Sequence, residues 1–199
     1  MFRVAMLAGV LASVPALGFA QQAAGGYNCP TAGSSLERTR GDDITYRAGT
    51  QAPFVCATTT GTQRLLGYWS TGEAFYRNGR PELERMLNTA FGSRQPAQAS
   101  FTYFSHSAIG HIPNRVQESW SVPGVERVST PAGEFEAMRV ERVFHIMDTL
   151  YRYRQTLWVD TRTGTPVRSE VEHTNGIMAA HVFSWRAAQI EARQMVSAR

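Results

Sequence analysis

Period-two alternation dominates the second half of the chain. Met138, Val140, Phe144 and Ile146 share one parity and Arg139, Glu141 and His145 the other, which is the spacing of a strand with one buried face. Tyr151, Tyr153, Leu157 and Val159 repeat the pattern. Arg152 and Arg154 then lie on the outer face, within reach of Glu141 and of Glu170 and Glu172 on the next strand. Pro131-Ala132-Gly133, Thr163-Gly164-Thr165-Pro166 and Asn175-Gly176 punctuate these runs with turn chemistry, so long antiparallel strands joined by short turns are expected. Upstream, shorter β-rich runs cover Ile44 to Tyr46, Phe54 to Thr58 and Gln63 to Trp69, with Thr60-Gly61-Thr62 as the hairpin turn between the last two.

One helix is expected, from Pro81 to Phe91. Leu83, Met86, Leu87, Ala90 and Phe91 make a single apolar stripe, Pro81 suits a first helical turn, Glu82 and Glu84 suit the positive end of the dipole, and Gly92 suits the stop. A Gln/Ala/Ser-rich connection follows at Gln95 to Ser100. The fold class is therefore α+β, a curved antiparallel sheet packed on one main helix.

The first residues have the three parts of a secretory leader: a short basic start at Arg3, an apolar run from Val4 to Leu17, and small residues at Gly18 and Ala20. The run contains Pro15 and falls short of the roughly 20 residues a spanning helix needs, so cleavage before Gln21 is expected and no stable membrane insertion afterwards. A lipid-anchored chain would carry cysteine directly after the cleavage point, and Cys29 lies well beyond it. This divides the chain into a signal at 1–20, a loose Gly/Ala/Ser/Thr-rich segment at 21–40 and a single domain at 41–199, working in the periplasm or secreted.

Cys29 and Cys56 are the only cysteines, and an even count in an exported chain points to a bridge. They lack the C-x-x-C spacing of a redox pair and are too few for a zinc site. Structure is expected to begin near Ile44, with the bridge pinning the loose segment to a strand.

All twenty basic residues are arginine. The formal net charge of +4, falling to +3 once Arg3 is removed, is spread over many segments instead of gathered in a stripe, so nucleic acid is not an expected partner. The histidines, His106, His111, His145, His173 and His181, lack H-E-x-x-H or other tight ligand spacing; no metal or cofactor is expected. No G-x-S-x-G elbow occurs, and Ser34 and Ser35 lie in the loose segment. Glu118, Glu126, Glu134 and Glu136 read as solvated residues with arginines nearby, not as a glycosidase pair. Trp158 and Trp185 fall off the apolar parity, where an exposed ring could serve as a platform and packing at a rim is the plainer reading.

The stretch Val125 to Val140, with its Thr130-Pro131-Ala132-Gly133-Glu134-Phe135 turn, and the stretch Leu157 to Arg168, with Trp158-Val159-Asp160 and Thr163-Gly164-Thr165-Pro166-Val167-Arg168, resemble uncharacterised bacterial periplasmic domains. Those domains are similar to the lipoprotein-carrier (LolA-like) half-barrel. The resemblance implies a sheet wrapped over helices and a concave face able to hold an acyl chain; it implies no catalytic residues. The expected function is a non-catalytic binding or envelope-maintenance protein holding an apolar ligand, such as a lipid, or an envelope protein. Tyr151, Tyr153, Leu157, Met86 and Phe91 are the candidate ligand-binding residues. An enzyme acting on an envelope polymer and a structural subunit of an envelope assembly are the alternatives.

The intact mass of protein recovered from its native compartment should correspond to a chain beginning at Gln21 with both cysteines oxidised. A mass that keeps the first twenty residues, or alkylation at two thiols, would contradict this reading.

Overall fold

The computed structural model describes residues 26–49, 52–106, 112–174 and 182–191. Eleven strands and one helix fill them: β1 (Ser35–Arg38), β2 (Ile44–Thr45), β3 (Val55–Ala57), β4 (Gln63–Leu65), β5 (Trp69–Ser70), α1 (Ala74–Leu87) with a π-helical turn at Asn88–Gly92, β6 (Ala97–His106), β7 (Pro113–Thr130), β8 (Gly133–Ile146), β9 (Arg152–Asp160), β10 (Pro166–His173) and β11 (Trp185–Glu191).

Eight strands make one curved, unclosed antiparallel sheet in the order β2-β1-β11-β10-β9-β8-β7-β6. The C-terminal half is the meander that the alternation predicts, with turns at Pro131-Ala132-Gly133 and after Asp160; the Asn175-Gly176 turn lies outside the described residues. On β8, Met138 and Val140 are buried and Phe144 and Ile146 half-buried. On β9, Tyr153, Leu157 and Val159 are buried, so the inner face carries the apolar set as its parity requires. The outer charged ladder forms in part. Arg154 reaches Glu172 at 3.6 Å, whereas Glu141 pairs with Arg139 at 2.5 Å and Glu170 with Arg168, its own strand neighbour two residues away.

β3, β4 and β5 form a separate three-stranded sheet, joined by the expected hairpin at Thr58 to Thr62, where Gly61 takes φ 81°. It packs on the inner face of the large sheet. Trp69 lies edge-on to Trp120 of β7 at 4.9 Å, and Tyr68 lies 5.4 Å from Trp185 of β11. Cys56 of β3 is bonded to Cys29.

Three expectations are corrected. The segment at 21–40 is not loose throughout: Ser35–Arg38 pairs with both β11 and β2, with Leu36 fully buried, because a single buried leucine with strand partners on both sides suffices to order four residues. Ahead of it, Tyr27 packs against Phe54 and Phe91, and its hydroxyl donates to the Gly164 carbonyl at 3.3 Å. Gly164 is required here, since a Cβ would meet the Asn28 carbonyl oxygen at 1.6 Å.

The helix starts seven residues before Pro81, and Pro81 lies inside it. A proline mid-helix removes one backbone hydrogen bond and costs about 3 kcal/mol. Burial of Phe75, Tyr76 and Gly79 before it and of Leu83, Met86 and Leu87 after it offsets that cost. Gly79 lets the helix lie close on β6: a Cβ there would sit 2.1 Å from the Phe101 ring. The Gln95 to Ser100 connection is shorter than expected, since β6 begins at Ala97.

Leu87→Ala should cost ~2–4 kcal/mol in denaturant melts, because Leu87 is enclosed between α1 and the sheet. Glu84→Ala, which removes only the exposed 2.7 Å pair with Arg80, should cost at most about 0.5 kcal/mol. Equal, small effects would contradict the packing described.

Candidate functional site

The two covers of the inner face, α1 and the small sheet, meet over β7, β8 and β9. At their junction the core contains charge. Arg142 stands on the inner parity of β8 between Val140 and Phe144, and its side chain is only 4% exposed. Its Nε donates to Glu118 Oε2 at 3.0 Å and its Nη2 to Glu118 Oε1 at 2.8 Å, a two-pronged pair with a carboxylate that is 0% exposed. The Tyr103 hydroxyl donates to Glu118 Oε1 at 3.1 Å, and the Phe75 ring lies 4.2 Å from the guanidinium. Glu73, the residue before α1, approaches the remaining nitrogen at 3.7 Å. Burial alone would lower the Arg142 pKa, but Glu118 above all, with Tyr153 and Glu73, holds it above the ordinary arginine value. Burial also raises the Tyr103 and Tyr153 hydroxyls above the ordinary tyrosine range, with Glu118 adding to both.

Beside this pair opens a cleft of about 390 Å³, lined on one side by Arg142, Tyr153 and Gln155 of the large sheet and on the other by Arg64, Tyr68, Trp69 and Ser70 of the small one. Arg38, Asp42 and Phe183 close its outer end and Glu73 its helix end. Gln155 fixes the floor. It accepts from Trp69 Nε1 at 2.8 Å and donates to Tyr68 Oη at 3.2 Å and Ser169 Oγ at 3.1 Å, so one buried amide ties both sheets together.

Among the residues singled out from the sequence, Tyr153 lines this cleft, stacked on Phe144 at 5.1 Å, with Tyr151 edge-on to it at 6.2 Å. Leu157, on the same face of β9, and Met86, on α1, are buried in the core. Phe91 lies elsewhere, against Tyr27 and Phe54, and borders a separate, smaller pocket. The five are not gathered in one place. Trp158 and Trp185 are both buried and offer no open platform: Trp158 donates to Glu126 under the Arg168 guanidinium, and Trp185 sits under Arg38. Glu118, read as solvated, is instead fully buried by its pairing with Arg142.

Of the histidines, His145 lies 3.3 Å from the Thr149 carbonyl and His173 packs on Tyr153, while His111 and His181 lie outside the described residues. The residues that shape the cleft most, Arg38, Arg64, Arg142 and Gln155, were not singled out. Arg142 and Gln155 carried a signal, since each occupies an inner-parity position in a run of apolar residues.

Glu118→Ala should cost about 3–5 kcal/mol, because it leaves the Arg142 guanidinium buried without its carboxylate. Replacing both residues together, Glu118→Leu with Arg142→Met, should recover much of that loss in the same melts. A double variant as unstable as the single one would contradict the pairing as the source of the cost.

No known protein family matches the chain, and no curated protein does. Two solved structures are similar in part. One is a provisionally assigned lipoprotein from Parabacteroides distasonis ATCC 8503, 12% identical, with a TM-score of 0.39 over 82% of this chain and 100% of that one. The other is a provisionally assigned exported protein with a YmcC-like fold from Bacteroides fragilis NCTC 9343, 13% identical, with a TM-score of 0.36 over 83% of this chain and 99% of that one.

Proposed function

We propose that this chain is a non-catalytic binding protein of the cell envelope, working outside the cytoplasm, and that its ligand occupies the cleft between the two sheets. The preformed cleft carries the reading. Its volume falls within the roughly 300–1,000 Å³ of small-molecule sites, and its walls are aromatic and polar side chains held by the Gln155 network. The leader-like first residues and the Cys29–Cys56 bridge support an oxidising compartment.

The position of an apolar ligand changes with the fold. Under α1 the inner face is filled by Leu83, Met86, Leu87 and Leu157, so an acyl chain would meet Tyr68, Tyr153 and Phe183 at the mouth of the cleft and not run along the sheet. The non-catalytic part of the proposal rests on the lining itself. Among the described residues it contains neither histidine nor cysteine, and its serine, Ser70, accepts from the Gly72 amide and has no hydrogen bond to a carboxylate or other base.

Native mass spectrometry of protein purified from its own compartment should show a bound small molecule. Ser70→Trp, which fills the cleft, should remove that adduct while leaving the melting temperature nearly unchanged. Replacing His145 and His173 together by glutamine should leave the adduct in place. A wild-type protein that carries nothing, or an adduct indifferent to Ser70→Trp, would overturn the assignment of the cleft.

A further inference from the structure

Two arginines that line the cleft have no acidic side chain within ion-pair distance. All acidic side chains of the sequence lie among the described residues, and none comes within 4.0 Å of the Arg38 or Arg64 guanidinium nitrogens. Among the described residues, their partners are backbone oxygens and rings. Arg38 donates from Nε and Nη2 to the Asp42 carbonyl and lies over the Trp185 ring, and Arg64 donates from Nη1 to the Tyr68 carbonyl at 2.8 Å. Arg64 Nε is buried and has no hydrogen-bond partner among the described residues.

The two come from different elements, β1 and β4, and line the same opening. Each guanidinium is held by a carbonyl, which orients it but neutralises none of its charge. Burial lowers the Arg38 pKa; Tyr68 opposes that, and the like charge of Arg64 adds to it. Asp42 offsets the Arg38 charge only as the smallest of the named influences, from beyond ion-pair distance, and Glu73 approaches Arg142 instead.

A pair of like charges, partly desolvated and facing a cavity, is stabilised by an anion between them. We propose that Arg38 and Arg64 receive the anionic head of the ligand, a carboxylate or phosphate oxygen group, while the rings of Tyr68, Tyr153 and Phe183 take its apolar body. This inference rests on the cleft being the binding site.

The test compares octyl phosphate, octanoate, inorganic phosphate and octanol by titration calorimetry on the full mature protein. Octyl phosphate and octanoate should bind wild type more tightly than octanol. Arg64→Gln should weaken the two anions by roughly tenfold or more, the scale of one lost charge-assisted contact, while octanol changes little. Arg38→Gln attacks the same receptor from another strand and serves if Arg64→Gln proves unstable. Arg64→Lys, which keeps charge without the fork, should fall between wild type and Arg64→Gln.

Inorganic phosphate bound as tightly as octyl phosphate, and lost in Arg64→Gln, would uphold the anion receptor and assign a free oxyanion as the ligand. Octanol and octyl phosphate bound equally by wild type and by both glutamine variants would overturn the anion head and leave the cleft as an apolar site. Binding of none of the four, with the cleft-dependent adduct still present in the native mass spectrum, overturns this inference alone. Loss of both overturns the cleft as well.

Discussion

Placing a guanidinium and a carboxylate side by side in the core costs several kcal/mol per ion, and only good geometry returns it. Here that geometry draws on five elements at once. Glu118 comes from β7 and Arg142 from β8, Tyr103 reaches in from β6, the Phe75 ring covers the guanidinium from α1, and Tyr153 adjoins it from β9. A slip of one residue in either hairpin would turn one charge outward and leave the other buried alone. The register of β6, β7, β8 and β9 and the seat of the helix are thus constrained together.

The same pair explains why the cleft lies where it does. Helix α1 ends its cover at Glu73, the small sheet ends its cover at Trp69 and Ser70, and the residues between them cannot be closed over with apolar side chains without stranding Arg142. Gln155 continues the polar strip on the next strand, binding Trp69 from above and Ser169 from the side. Polar residues at inner-parity positions leave an opening that is rigid and ready for hydrogen bonding.

Much of this was legible in the residues. Alternation located the long strands of the C-terminal half, the turn tripeptides located their reversals, and the cysteine count identified the pair that the structure joins. The helix was half legible: Leu83, Met86, Leu87 and Phe91 announced its stripe, but Asn78-Gly79-Arg80-Pro81 reads locally as a breaker, and only the close approach of Phe101 gives Gly79 its purpose. The cleft was not legible. Arg38 and Arg64 stand on short strands from different sheets, and no local spacing reveals that they share an opening. Buried arginines also defeat the rule that charge marks the outer face, so Arg142 was passed over although its parity was inward.

The large sheet joins the ends of the described chain. β1 has β11 as its neighbour, with Ser35 opposite Glu191 and Leu36 opposite Ile190, and β2 hangs from β1 alone within that sheet. A chain that emerges amino end first can pair Leu36 with Ile44 early, but must hold Leu36 without its partner Ile190 until nearly every other strand has been laid down. Contacts of such long sequence separation form late and slowly. The meander from β6 to β10 needs only adjacent hairpins and can assemble as each strand arrives, so the order of assembly runs against the order of synthesis. During that interval the waiting amino-terminal strands are the part of the molecule most open to a chaperone, or to pairing with the wrong edge.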